Sequence, residues 1–151
     1  MTVSTAHFGS IAVDPGAIVE FPEGLPGFEE MRQFVPLRHP AATGLVFLQS
    51  LDSPALCFLA VPVQVVRPNY RVEMPADDLE LLGFAPDCRP VLGRDVNALA
   101  FLSLEEGAAP SVNLRSPVVI SLRSCRAVQA IRTDERYGYR EPLIEEEAVC
   151  S

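Results

Sequence analysis

Several residue types are scarce in this chain of 151 residues, and each shortage excludes something. Lysine and tryptophan are absent, so every basic side chain apart from two histidines is an arginine. The longest apolar stretch, around residues 55–66, is interrupted by a proline and a glutamine and is too short to span a bilayer. The first residues lack a basic start followed by an apolar run, so no signal peptide is indicated. We therefore expect a cytoplasmic protein without membrane contact.

Cysteine and histidine are too dispersed to indicate a metal site. The four cysteines are Cys57, Cys88, Cys125 and Cys150, and no two of them form a CxxC pair or have a histidine nearby. In a chain without an export signal they are expected to be reduced thiols. We predict neither a bound metal nor a cofactor.

The common catalytic motifs are also missing. The chain has no phosphate-binding glycine loop, no HExxH helix and no GxSxG turn. Adjacent carboxylates occur at Glu29-Glu30, Asp77-Asp78 and Glu105-Glu106, but neighbouring residues on a strand point to opposite faces and do not converge on one site. These absences predict a protein that is not an enzyme.

Charge narrows the choice of partners. The formal net charge is −8 and the pI is near 4.7. Direct binding of nucleic acid generally needs a surplus of basic side chains to displace counterions, and this chain has a deficit. An acidic surface instead favours encounter with a basic protein.

What the chain has in abundance is short apolar runs separated by turn residues. Hydrophobic residues make up 48% of the sequence and there are 14 prolines, a pattern typical of short antiparallel strands. We predict an all-β, mainly antiparallel, small barrel-like single domain over residues 1–143, followed by a frayed acidic tail over 144–151. The predicted strands are Val3–Ala12, Ala17–Phe21, Gln33–Leu37, Leu45–Leu51, Ala55–Val61, Val65–Met74, Ala98–Leu104, Pro117–Leu122 and Ala127–Arg132.

One short helix is predicted near residues 76–82. Pro75 stands at its entry, Asp77 and Asp78 fall in its first turn, and Gly83 follows its last leucine. Leu79 and Leu82 share its buried face.

The segment Phe21–Glu29 combines two prolines and two glycines between phenylalanines. Pro26-Gly27 fits the two corners of a type II turn, in which the second corner needs a positive φ. We predict a rigid excursion between strands, anchored to the core by Phe21 and Phe28 and carrying exposed carboxylates.

The same segment belongs to an ordered set of motifs over most of the chain. The other members of the set are Phe8–Ile11, Phe47–Asp52, Leu56–Val61, Pro68–Tyr70, Val112–Ile120, Gln129, Tyr137, Arg140 and Pro142-Leu143. In this order and spacing, the sequence resembles the FliW family of flagellar assembly factors from about Phe8 to Leu143.

This resemblance implies a function without catalysis. FliW-type proteins bind CsrA, a small basic RNA-binding translational repressor, and they also bind flagellin. In binding CsrA they relieve repression of flagellin translation. The acidic composition agrees with a basic intermediary, through which such a protein can act on RNA without touching it.

Eleven positions follow from the motifs and the charge pattern. Five are predicted to contact a partner, namely Glu23, Glu29, Glu30, Tyr70 and Asn113. Six are predicted to hold shape, namely Gly24, Pro26, Gly27, Phe28, Leu114 and Pro117. A purely structural role also stays open for Tyr70, and for Asn113 through a side-chain-to-backbone turn bond.

Two other functions remain open at this point. A small-ligand-binding β-barrel would place Phe47, Phe58 and Phe101 around an apolar pocket. An unrecognised hydrolase would bring titratable groups together in a cleft.

Overall fold

The computed structural model describes residues 1–38 and 44–143, which form eleven short strands, two short α-helices and one turn of 3-10 helix at Pro15–Ala17. The strands are β1 Thr2–Thr5, β2 Gly9–Ala12, β3 Val19–Glu20, β4 Gln33–Leu37, β5 Val46–Ser50, β6 Cys57–Pro62, β7 Val96–Ser103, β8 Ser111–Val112, β9 Val118–Ser121, β10 Ala127–Gln129 and β11 Glu141–Pro142; the α-helices are α1 Val63–Val66 and α2 Ala76–Leu81. All strand pairings between elements are antiparallel, and the main sheet runs in the order β10-β9-β7-β6-β5-β4-β3, with β8 on β7 and β11 on β8. The predicted all-β, antiparallel fold is confirmed.

The two ends of the main sheet approach each other without a continuous ladder. Glu20, at the end of β3, forms a single parallel bridge with Arg126, just before β10. Its backbone N–H donates to the Cys125 carbonyl at 2.9 Å. The sheet is therefore curled and barrel-like, but it is not closed strand to strand.

Both faces of this sheet are buried in its centre, so its central strands carry consecutive apolar residues, as over 58–61 in β6 and 98–102 in β7. In β7, Leu99 packs on the concave side, whereas Ala98 and Ala100 pack on the other. The inner core is Val19, Phe21, Leu25, Phe34, Val46, Leu48, Ala60, Leu99, Val118 and Ala127. The outer core, beneath α1 and α2, includes Val61, Val63, Val66, Tyr70, Met74, Leu79, Leu82, Val112, Leu114, Val119 and Val128.

The predicted strand Val3–Ala12 is wrong, because this segment is the β1–β2 hairpin. The Thr5 hydroxyl donates to the Gly9 carbonyl at 2.8 Å and accepts from the Phe8 N–H at 2.9 Å. Gly9 has φ +67°, a conformation that glycine adopts at little cost. The glycine inside the apolar pattern marked this reversal.

The predicted strand Val65–Met74 is also wrong. Residues 63–66 form one helical turn, α1, which buries Val63 and Val66 three residues apart. Pro62 immediately precedes the turn and Pro68 follows it, so the chain cannot continue as a regular strand. The segment from Arg67 to Pro75 has no regular secondary structure.

The predicted helix is confirmed as α2, in which Leu79 and, just after its end, Leu82 are buried. Strands β8 and β11 were not predicted. The Arg67 guanidinium, itself buried, donates to the Pro142 carbonyl at 3.0 Å and holds β11 in place. The predicted tail over 144–151, with Cys150, lies outside the described residues, as does His39.

Candidate protein-interaction surfaces

The turn predicted at Pro26-Gly27 is present and is closed by a backbone hydrogen bond. The Phe28 N–H donates to the Leu25 carbonyl at 2.7 Å, and Gly27 has φ +83°. This is the type II geometry that a Pro-Gly pair favours. The turn therefore holds its shape by local backbone chemistry.

Gly24 is required for a second reason. It has φ +67°, and a Cβ atom added there would lie 2.5–2.7 Å from the backbone of Glu29. Backbone atoms cannot move aside as a flexible side chain can. Any side chain at position 24 would push the two arms of the turn apart.

The anchoring residues differ in part from the prediction. Phe21 is fully buried and stacks edge-to-face on Phe34 with ring centroids 5.1 Å apart. Leu25 is also buried, whereas Phe28 is 39% exposed and touches Phe58 with its ring edge. Leu25, not Phe28, is the second anchor, because residue 25 points to the core side of the turn.

All three carboxylates predicted to meet a partner are exposed. Glu29 lies at the turn, where its side chain accepts from the Gly27 N–H at 3.2 Å, and Glu30 is next to it. Their backbone is fixed by the turn and their charged ends face solvent.

Glu23 faces the acidic end of α2, a proximity that the sequence did not predict. Together with Asp77, Asp78 and Glu80 it lines an open cleft of about 560 Å³, into which Arg126 also projects. We call Glu23, Asp77, Asp78 and Glu80 the acidic surface. Burial raises the pKa of Asp78, and the negative charges of Glu23 and Asp77 raise it further. Negative charge is therefore concentrated where two distant segments meet.

Tyr70 contacts its own chain rather than solvent. Its side chain is buried and its hydroxyl donates to the Leu114 carbonyl at 2.6 Å. Its ring stacks on Tyr137 at 4.9 Å, and the Arg132 guanidinium lies 4.9 Å from its centroid. In this structure Tyr70 is a packing residue, the role left open for it above.

Arg132 completes this arrangement, which we call the tyrosine–arginine cluster (Tyr70, Arg132, Asp134 and Tyr137). Its guanidinium is buried and binds both carboxylate oxygens of Asp134, at 2.8 and 2.9 Å. These bonds lower the pKa of Asp134. The buried cation is thus paired with a carboxylate and lies against two stacked aromatic rings, which offsets the cost of its desolvation.

Asn113 has the turn bond that was left open for it. Its side-chain oxygen accepts from the Ser116 N–H at 2.9 Å, while Leu114 and Pro117 are buried on either side. This local bond orients the entry to β9. Asn113 is itself partly buried.

Neither helix within residues 1–38 and 44–143 has the length and hydropathy needed to cross a membrane. Over the same residues, no three histidine, cysteine, aspartate or glutamate side chains are grouped so that they could hold a metal ion.

The fold and these surfaces define a curled β-sheet protein that presents carboxylates on rigid loops. The chain belongs to the FliW family, whose family model matches residues 2–143. It is 30% identical to the flagellar assembly factor FliW of Caldanaerobacter subterraneus, over 97% of this chain and 95% of the relative. It is 32% identical to the FliW of Geobacillus sp. (strain WCH70), over 97% of both chains. A crystal structure of a flagellar assembly factor FliW superposes with a TM-score of 0.79 at 28% identity, covering 97% of this chain and 99% of that one.

Proposed function

We propose that this chain is a non-enzymatic flagellar assembly factor of the cytoplasm. It binds a CsrA-type RNA-binding regulator and flagellin, and it relieves repression of flagellin translation. Membership of the FliW family supports a role in flagellar assembly. The two partners are those that the resemblance implies.

The observation that carries this proposal is the concentration of negative charge at one place. Glu23 and the three carboxylates of α2 share a cleft, and Glu29 and Glu30 are exposed on the same turn as Glu23. A basic protein approaching this region is attracted before contact, which raises the association rate. RNA, which is itself anionic, is repelled from it.

A titration of the purified chain against a CsrA-type protein tests the proposal. We expect a saturable complex at low salt and weaker binding at high salt, because exposed charge pairs are screened. Absence of a complex at both salt concentrations would contradict the CsrA part of the proposal. The same titration with flagellin tests the second partner independently.

The positions of the three phenylalanines named above do not favour the small-ligand-binding barrel. Phe58 and Phe101 stack on each other at 5.0 Å, where they pack against the inner core. Phe47 instead lies beside Phe8 of the β1–β2 hairpin, at 5.2 Å. The three phenylalanines therefore do not line one pocket.

A further inference from the structure

A second cleft lies beside the tyrosine–arginine cluster and is separate from the acidic surface. It has a volume of about 430 Å³ and runs between the irregular segment 71–73 and the loop 89–92. The residues that line it are Gln64, Tyr70, Arg71, Val72, Glu73, Arg89, Pro90, Val91 and Leu92. We call it the 71/89 cleft.

One wall of the 71/89 cleft carries backbone groups without an assigned partner. Among the described residues, the N–H and C=O groups of Val72 and Glu73 make no hydrogen bond, and both residues are only partly buried. Met74, which follows them, is buried in the outer core and does not line the cleft. Unpaired backbone groups that remain partly accessible can pair with the main chain of a partner.

Both walls are nevertheless held in position. Arg132 donates to the Arg71 carbonyl, and the Tyr70 hydroxyl donates to the Leu114 carbonyl. On the opposite wall, the Asp95 carboxylate accepts from the Val91 N–H at 2.9 Å. A groove whose walls are fixed in advance loses little entropy when it binds a ligand.

The charges along the cleft point to the chemistry of the occupant. The Arg71 and Arg89 side chains are exposed, and neither forms an ion pair within residues 1–38 and 44–143. Val91 is 45% exposed at the same place and offers an apolar contact. Glu73 also lines the cleft, so the lining carries two positive charges and one negative charge. The surplus positive charge favours carboxylates, which each unpaired guanidinium can bind with two hydrogen bonds.

We propose that the 71/89 cleft binds an extended, acidic segment of a partner protein. The segment lies along residues 72–73, pairs its main chain with their backbone groups, and places carboxylates on Arg71 and Arg89. An apolar side chain of the segment covers Val91. The surplus charge of this cleft is opposite in sign to that of the acidic surface. Binding in the cleft is independent of which proteins bind at the acidic surface.

The test uses the full chain and two labelled synthetic peptides, one alternating valine and glutamate and the other alternating valine and lysine. We expect the glutamate peptide to bind and the lysine peptide to bind at least about tenfold more weakly, because its charges are repelled by both arginines. Amide hydrogen exchange at Val72 and Glu73 is expected to slow when the glutamate peptide is bound.

Variants locate the binding. The double substitution Arg71→Glu with Arg89→Glu is expected to weaken the glutamate peptide at least about tenfold. Arg38→Glu, at an exposed arginine just after β4, serves as the control and is expected to leave binding unchanged. Circular dichroism checks that each variant is folded.

Three results would overturn the proposal. They are equal binding of the two peptides, unchanged binding in the double variant, and unchanged exchange at Val72 and Glu73. Self-association that the double variant abolishes would also overturn it, since the occupant would then be a second copy of this chain.

Discussion

The acidic surface and the tyrosine–arginine cluster treat charge in opposite ways. At the acidic surface, like charges are crowded together and left in contact with water. In the tyrosine–arginine cluster, the Arg132 guanidinium is buried, paired with Asp134 and packed against two rings. Mutual repulsion at the acidic surface lowers the stability of the fold, but the same charges attract a basic partner. The paired cation of the tyrosine–arginine cluster stabilises the fold and leaves little charge exposed to a partner.

This contrast also distinguishes two residues for which the sequence predicted the same role. Glu23 and Tyr70 both belong to motifs of the family and both were predicted to contact a partner. The structure places Glu23 in an exposed cleft and Tyr70 beneath Tyr137. The most sensitive experiments are those that affect one region and spare the other.

The largest effect on stability is expected at Gly24, in the turn that carries Glu29 and Glu30. Gly24→Ala places a Cβ atom against the Glu29 backbone at a positive φ, and we expect a loss of about 3 kcal/mol or more in the free energy of unfolding. Gly27→Ala is the matched control, because its φ is also positive but its surroundings are open. We expect it to cost about 1 kcal/mol. Urea denaturation measures both, and equal losses would show that the contact with Glu29 is unimportant.

The next effect is expected in the tyrosine–arginine cluster. Tyr70→Phe leaves the Leu114 carbonyl without its donor in a buried position, and we expect it to destabilise the fold by about 1–3 kcal/mol. Tyr139→Phe is a control at an exposed tyrosine and is expected to change stability by less than about 0.5 kcal/mol. Thermal unfolding of the two variants distinguishes them. A Tyr70→Phe protein as stable as the parent would show that the Tyr70 hydroxyl does not stabilise the fold.

How much of this could be predicted depended on whether the cause was local. The type II turn and α2 follow from proline, glycine and leucine positions within a few residues, so their geometry was predicted correctly. The pairing of β8 with β11 and the meeting of Glu23 with α2 depend on contacts between segments far apart in sequence. The burial of Tyr70 is of the same kind, because an amphipathic ring fits a surface as well as a core. The α1 turn was missed because its valines also favour a strand.

Acid should affect the two regions in opposite directions. The pKa of Asp134 is lowered in the folded state, so its stabilising contribution is complete above the unfolded value of 3.8 and is lost as pH falls through the folded pKa. The pKa of Asp78 is raised, so its charge destabilises the fold above the folded pKa, and this penalty disappears as pH falls towards 3.8. We therefore expect Asp78→Asn to be slightly more stable than the parent at neutral pH, and Asp134→Asn to be less stable. Chemical denaturation at neutral and acidic pH measures both, and shifts of the same sign would contradict the contrast.

The smallest effect on stability is expected at the exposed carboxylates beside the turn. Glu29→Arg with Glu30→Arg should change the free energy of unfolding by less than about 1 kcal/mol, since both side chains are exposed. Urea denaturation measures this change. A larger loss would mean that these carboxylates contribute to the fold rather than to a partner surface.

The association rate of that same variant with a CsrA-type regulator tests the central claim most directly. Stopped-flow measurements at low salt would compare it with the parent and with Glu106→Arg, a charge reversal at an exposed glutamate after β7. The account predicts slower association for the Glu29 and Glu30 reversal, with a weaker dependence on salt, and a smaller change for the control. Equal association rates for the parent and both variants would contradict it.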